Sequence, residues 1–174
     1  MKGFENQDKF HNKLNKSTKN ITPSKEQILS QAFQFHSQGN ISEAAKYYQY
    51  FINQGFKHHR VFLNYGIILK NLGKLQEAEI SLRKAIKIKP YYAKAYYNLG
   101  NILIDLGKLQ EAEVSLRKAI DIKPDYVEAY YNLGNILRIL GKLEEANLCS
   151  EKIISKRSWS ILGSYSFNRE MKLD

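Results

Sequence analysis

AKAYYNLGNILIDLGKLQEAEVSLRKAIDIKPDY, from Ala93 to Tyr126, decides the fold, because the residues on both sides of it repeat it. Shifted forward by its own length, Tyr96 to Leu103 falls on an identical octapeptide, Tyr130 to Leu137. Shifted the other way, Lys108 to Pro124 matches Lys74 to Pro90 at 15 of 17 positions. Self-similarity at a fixed period of this kind is the signature of a solenoid, whose units bury their apolar faces against one another rather than within themselves.

Two helices fit in one period. Ala95, Leu99, Gly100, Leu103 and Leu106 recur at helical spacing, and so do Leu109, Ala112, Leu116, Ala119 and Ile120. Gly107 separates the two, since a residue that tolerates the left-handed region closes a helix end, and Pro124 with Asp125 stops the second. Gly100 stands inside the first helix, where it costs roughly 1 kcal/mol of helix propensity. Its recurrence as Gly66, Gly100 and Gly134 predicts the close approach of a neighbouring helix. Ala112, in register with Ala44, Ala78 and Ala146, is the matching small residue on the second helix.

The places held by Tyr96, Leu99, Gly100, Leu103, Ala112, Leu116, Ala119 and Pro124 resemble the tetratricopeptide repeat (TPR) family, over four units between about Lys25 and Ser155. The resemblance implies an all-α fold, an α-solenoid of about four helix-turn-helix repeats wound as a right-handed superhelix, with a C-terminal helix as cap. The expected division is a disordered Lys- and Asn-rich tail over 1–24, a degenerate first repeat over 25–58, and repeats over 59–92 and 93–126. A fourth repeat over 127–160 decays after 147, and 161–174 is a capping segment or a tail.

The degenerate first unit has Ala32 in place of the glycine, bulk from Phe33 and Phe35, and Asn53-Gln54-Gly55-Phe56 in place of a closing proline. Thr22 or Ser24 can cap its first helix, and Ala44, Tyr48 and Phe51 form the inner stripe of its second. In the fourth unit Ser150 replaces Leu82 and Leu116, and Ile153 replaces the second alanine. Trp159, Leu162 and Tyr165 or Phe167 supply the apolar groups for a cap.

At 174 residues the chain is expected to be one domain. No apolar run reaches the roughly 20 residues that span a bilayer, and Met1-Lys2-Gly3-Phe4 leads into polar residues, so neither a membrane partner nor a secretory signal is expected. With Cys149 as its only cysteine the chain forms no internal disulfide, and a reducing, cytoplasmic setting is the simpler reading. The net charge of +10 comes mainly from lysine, which far outnumbers arginine, in a composition also rich in Asn and Ile, as an AT-rich genome would produce. Nucleic-acid binding usually needs arginines placed for phosphate or base contact. Here Glu79 precedes Arg83, and Glu113 precedes Arg117, by four places, the helical spacing for an ion pair, and no nucleic-acid partner is expected.

Function then rests on the surface left after packing. The TPR resemblance implies that first helices line a concave side. In the second to fourth repeats the candidate groove residues are Asn64 and Lys70, then Lys94, Tyr97, Asn98 and Asn101, then Tyr131, Asn132, Asn135 and Arg138. The Tyr and Asn members return once per repeat and are expected to form ladders. An Asn amide donates and accepts, so it can bond the backbone of an extended peptide whatever its side chains, and Tyr adds rigid contact area. The alternative for these amides is a hydrogen bond between neighbouring helices or to water. Asn64, Asn98 and Asn132 are similar in placement to the asparagines of O-linked N-acetylglucosamine transferase repeats, which hold a peptide backbone; nothing here resembles the glycosyltransferase domain. Leu63, Tyr97 and Tyr131 stand where a chaperone-tail clamp would need lysine, which argues against a clamp.

No glycine-rich phosphate loop, paired-histidine metal motif or nucleophile elbow is present, so no catalytic residue, metal or cofactor is expected. Glu111 with Glu113 and Glu144 with Glu145 read as solvated pairs, Cys149 as a small buried thiol, and His36, His58 and His59 as surface residues. Lys84, Lys87 and Lys89, echoed by Lys118 and Lys123, mark a basic outer flank that is solvated or meets an acidic partner. The expected function is a non-catalytic interaction module that holds an extended segment of another protein, as a monomer or in weak self-association through its end faces. The alternative is the substrate-docking arm of a carbohydrate-modifying or sulfate-transferring enzyme whose catalytic domain lies elsewhere.

Overall fold

The structure, a computed structural model, describes residues 23–155. The expected N-terminal tail, apart from Pro23 and Ser24, and the expected C-terminal cap lie outside the described residues. Among the described residues there are eight helices and no strand. They are α1 (Lys25–Ser37), α2 (Ile41–Asn53), α3 (His59–Asn71), α4 (Leu75–Ile88), α5 (Ala93–Asp105), α6 (Leu109–Ile122), α7 (Val127–Ile139) and α8 (143–155). The chain divides into two compact units, Met1–Val61 and Phe62–Asp174.

In the first unit Ser24 caps α1 in a reciprocal box: its Oγ accepts the Gln27 N–H at 3.2 Å, and Gln27 Oε1 accepts the Ser24 N–H at 2.8 Å. Gly39, at φ +74°, turns the chain into α2, whose N-cap Asn40 accepts the Glu43 N–H through Oδ1 at 3.3 Å. Ile28, Ala32, Ala44, Tyr48 and Phe51 are buried between the two helices. The histidines depart from the surface placement that the sequence suggests. Phe33 makes an aromatic platform: Tyr48 and His58 meet it edge-on at 6.0 and 5.8 Å, and the Arg60 guanidinium lies over it at 4.4 Å. His58 also stacks on His59 at 4.9 Å, with its Nδ1 buried and without a hydrogen-bond partner among the described residues. Burial, then the charges of His59, Arg60 and Lys25, lower the His58 pKa.

The second unit is a run of hairpins. Each first helix ends on a glycine in the left-handed region, Gly73, Gly107 and Gly141, at φ +73°, +72° and +74°. Beyond each glycine the next N–H reaches back to the helix: Lys74 to the Leu69 carbonyl at 2.9 Å, Lys108 to Leu103 and Lys142 to Leu137 at 2.8 Å. These are Schellman closures, which satisfy carbonyls that the helix end would otherwise leave bare. The interior glycines sit where the sequence asks for a close neighbour. A Cβ on Gly100 would lie 2.8 Å from Leu116 Cγ, and one on Gly66 would lie 3.1 Å from Leu82 Cγ. Leu82, Ile102, Leu103, Leu116, Ile136 and Leu137 are fully buried, each stabilising the stack by about 1.5–3 kcal/mol.

Charge joins successive repeats on the other side. Glu79 on α4 receives Arg83 from its own helix and Lys108 Nζ, at 2.9 Å, from the turn before α6, while Arg83 reaches on to Glu111 at 2.7 Å. The same set recurs one repeat later: Glu113 receives Arg117 and Lys142 Nζ, each at 2.9 Å, and Arg117 bonds Glu145. Glu113 is therefore buried rather than solvated, at 8 % exposure, because the next repeat covers it. Burial opposes its charge, but the hydrogen bonds from Lys142 and Arg117 outweigh it and hold the carboxyl below its usual range. For Glu79 the hydrogen bond from Lys108 is the main cause of a similar depression.

Candidate functional site

The first helices α3, α5 and α7 carry the groove candidates. Helical spacing turns Leu99, Ile102 and Leu103 of α5 into the core, and leaves Lys94, Tyr97, Asn98, Asn101 and Asp105 exposed or half-buried. The α7 equivalents divide the same way, with Leu133, Ile136 and Leu137 buried.

Two bonds tie these helices together across the candidate face. Lys70 Nζ of α3 lies 3.1 Å from Asp105 Oδ2 of α5, and Asn132 Nδ2 of α7 donates to Asn101 Oδ1 of α5 at 2.7 Å. The structure thus brings Lys70, Asn101 and Asn132 onto one polar strip that runs over three repeats of the second unit. Asn98, in register with Asn132, instead donates to its own helix at the Lys94 carbonyl, at 2.7 Å. Arg138 donates to Asn135 Oδ1 at 3.2 Å and to Ser150 Oγ at 3.0 Å. Asn64 is half-buried, and the Lys94 side chain is exposed.

The tyrosine register is uneven. Tyr131 is 62 % exposed, whereas Tyr97 lies half-buried against the Tyr126 ring at 4.8 Å. Burial, then Tyr97 and Glu128, push the Tyr126 phenol up to about 12. Leu63, at the matching place on α3, is buried and offers no surface. Sequence reading missed Tyr126 and Ser150 as partners of this face. Tyr92 and Tyr126 do occupy the same place in successive repeats, a signal that could have found the first.

This arrangement can hydrogen-bond and pack. The Asn98 and Asn132 side-chain carbonyls and the Asn101 amino group make no bond among the described residues, so each amide keeps capacity for a ligand. Cys149 is buried, and burial raises its thiol pKa. Among the described residues no three His, Cys, Asp or Glu side chains cluster as a metal site, and no helix is long and apolar enough to cross a membrane.

Family models match along the second unit. One described as "TPR repeat" covers residues 100–137, and two described as "Tetratricopeptide repeat" cover 81–114, and 59–92 with 127–155. Together they run unbroken from 59 to 155, more than half of the chain. No curated protein matches. Among solved structures, a crystal structure of MamA superposes with a TM-score of 0.76 at 24 % identity, covering 87 % of this chain and 86 % of that one. YrrB, a TPR protein with an unusual peptide-binding site, gives 0.70 at 19 % identity over 83 % of this chain and 75 % of its own. The Thermobaculum terrenum O-GlcNAc transferase gives 0.58 at 24 % identity, over 67 % of this chain but 23 % of the enzyme. At these identities the likeness is one of fold.

Proposed function

The chain belongs to the tetratricopeptide repeat family, and on that premise we propose that it is a protein-interaction module that holds an extended segment of a partner protein on α3, α5 and α7. One observation carries the reading. The interhelical bonds Lys70 to Asp105 and Asn132 to Asn101 link α3, α5 and α7 through polar side chains, and Tyr131, next to Asn132 in sequence, is exposed. An extended backbone presents alternating donors and acceptors, and the unspent carbonyl and amino groups of Asn98, Asn101 and Asn132 complement it. YrrB lends the reading a precedent in the same fold, a peptide-binding site on a TPR scaffold.

The test places a photo-crosslinking side chain at Tyr131 in the native host, identifies the captured segment, and titrates that segment as a synthetic peptide. Asn98→Ala combined with Tyr131→Ala is expected to weaken binding about tenfold, the equivalent of about 1.4 kcal/mol. An affinity unchanged by both substitutions would refute this site. If the captured protein is the substrate or the catalytic chain of a carbohydrate-modifying or sulfate-transferring enzyme, the module is its docking arm.

A further inference from the structure

The second helices expose an apolar stripe that repeats with the chain: Ile80 on α4, Val114 on α6 and Leu148 on α8 are 56 %, 69 % and 59 % exposed. Between α4 and α6 the surface sinks into an open cleft of about 670 Å³. Its apolar lining comes from Ile86, Leu99, Val114 and the half-buried ring of Tyr96. Its walls carry Arg83, Lys87, Arg117 and Lys118 against one carboxylate, Asp121.

That charge pattern is not a by-product of repetition. One repeat further on, the same five places hold Arg117, Asp121, Glu151, Lys152 and Ser155, two cations and two carboxylates. Lys87 has become Asp121, and Arg117 has become Glu151. The cations also divide by role. Arg83 and Arg117 are fixed by the Glu79–Glu111 and Glu113–Glu145 pairs, whereas Lys87 and Lys118 form no ion pair among the described residues. Two free ammonium groups thus flank an apolar lining at one junction between repeats and not at the next.

We propose that the cleft between α4 and α6 is a second docking site, which takes an acidic peptide segment. An apolar side chain of that segment enters over Ile86 and Val114, and its flanking carboxylates meet Lys87 and Lys118. Single-stranded nucleic acid is the poorer occupant. Its bases need exposed aromatic faces for stacking, and the one ring in the lining, Tyr96, is half-buried. Its charged residues all lie on the second helices α4 and α6, and none of its lining belongs to the candidate strip, so it stands or falls independently of that strip.

The probe is a synthetic peptide of alternating Glu and Asp around a central Leu-Phe, titrated into the full, isotope-labelled chain while backbone amide shifts are followed. Expected are shifts at Ile86, Lys87, Val114 and Lys118, and binding that weakens as salt is raised. The double variant Lys87→Asp with Lys118→Glu should bind at least about tenfold more weakly, because two attractions become repulsions. Its helix content should be unchanged, since both lysines are exposed and unpaired. Tyr131→Ala should bind like the wild type. The proposal is overturned if the Gln and Asn version of the peptide binds equally, or if the shifts fall on Asn98, Asn101 and Tyr131. It is also overturned if a short oligothymidylate binds the cleft as well as the peptide does, or if the acidic peptide does not bind.

Discussion

The third and fourth repeats share eight consecutive residues in their first helices and pack them differently. Tyr96 to Leu103 and Tyr130 to Leu137 are identical, and each carries a glycine at its fifth place. On Gly100 a Cβ would press into Leu116 at 2.8 Å, yet on Gly134 it would meet Cys149 Cβ at an ordinary 3.4 Å. The cause lies on the facing helix, where Ser150 stands in register with Leu116, and Arg138 reaches in to bond its hydroxyl at 3.0 Å. One helix sequence therefore meets a tight constraint in one repeat and a slack one in the next. The packing partner, rather than the local sequence, decides what the glycine is for.

The largest expected effect comes from erasing that difference. Leu116→Ser gives the third repeat the facing residue of the fourth, but Ile104, in register with Arg138, cannot donate to the new hydroxyl. The emptied space should destabilise the unit by about 3–4 kcal/mol, read as a lower urea midpoint by far-ultraviolet circular dichroism. Gly100→Ala comes next, at about 2 kcal/mol, because fully buried Leu116 has little room to retreat. In the Leu116→Ser background the same alanine should be neutral or favourable. A penalty that persisted there would show that the clash lies elsewhere.

The two junctions that share the charged staple offer a third comparison. Glu113→Gln keeps the shape but leaves Arg117 and Lys142 without their carboxylate, a loss of about 1–2 kcal/mol near neutral pH. The folded Glu113 carboxyl titrates below its unfolded value, so its stabilisation is present above about pH 4.3 and is lost as pH falls through the folded pKa. The variant should therefore lose less stability between neutral pH and acid than the wild type does, as followed by midpoints across a pH series. The smallest effect has the opposite sign. Gly134→Ala meets ordinary contact distances and removes a helix-interior glycine, so it should raise stability by about 0.5–1 kcal/mol, read as a higher urea midpoint.

Period and spacing made the repeat legible. Both helices of a hairpin, the left-handed Gly107 and the crowded Gly100 could be read without coordinates, because each is set within a single period. What stayed hidden depends on contacts that the period does not encode. Glu113 reads as a solvated acid on its own helix and becomes buried only when Lys142 of the following repeat covers it. His58 reads as a surface residue until Phe33, earlier in the same repeat, supplies its platform. At the candidate strip the sequence marked Asn98 and Asn132 as equivalents, and the structure turns one to its own helix and the other to Asn101. A flexible amide takes whichever acceptor its surroundings bring near, and strict periodicity carries no information about that choice.

The charged staple has an evolutionary corollary. The repeat over 93–126 bears Glu113 and Arg117 for its successor, and also Lys108 and Glu111 for its predecessor, so both halves of the connector are encoded in that one segment. A tandem duplication of 93–126 would join itself at both ends without a single new substitution. Gain or loss of whole segments through slippage of the coding sequence is then mechanically silent at the seams, and the length of the array can drift while its joints remain intact.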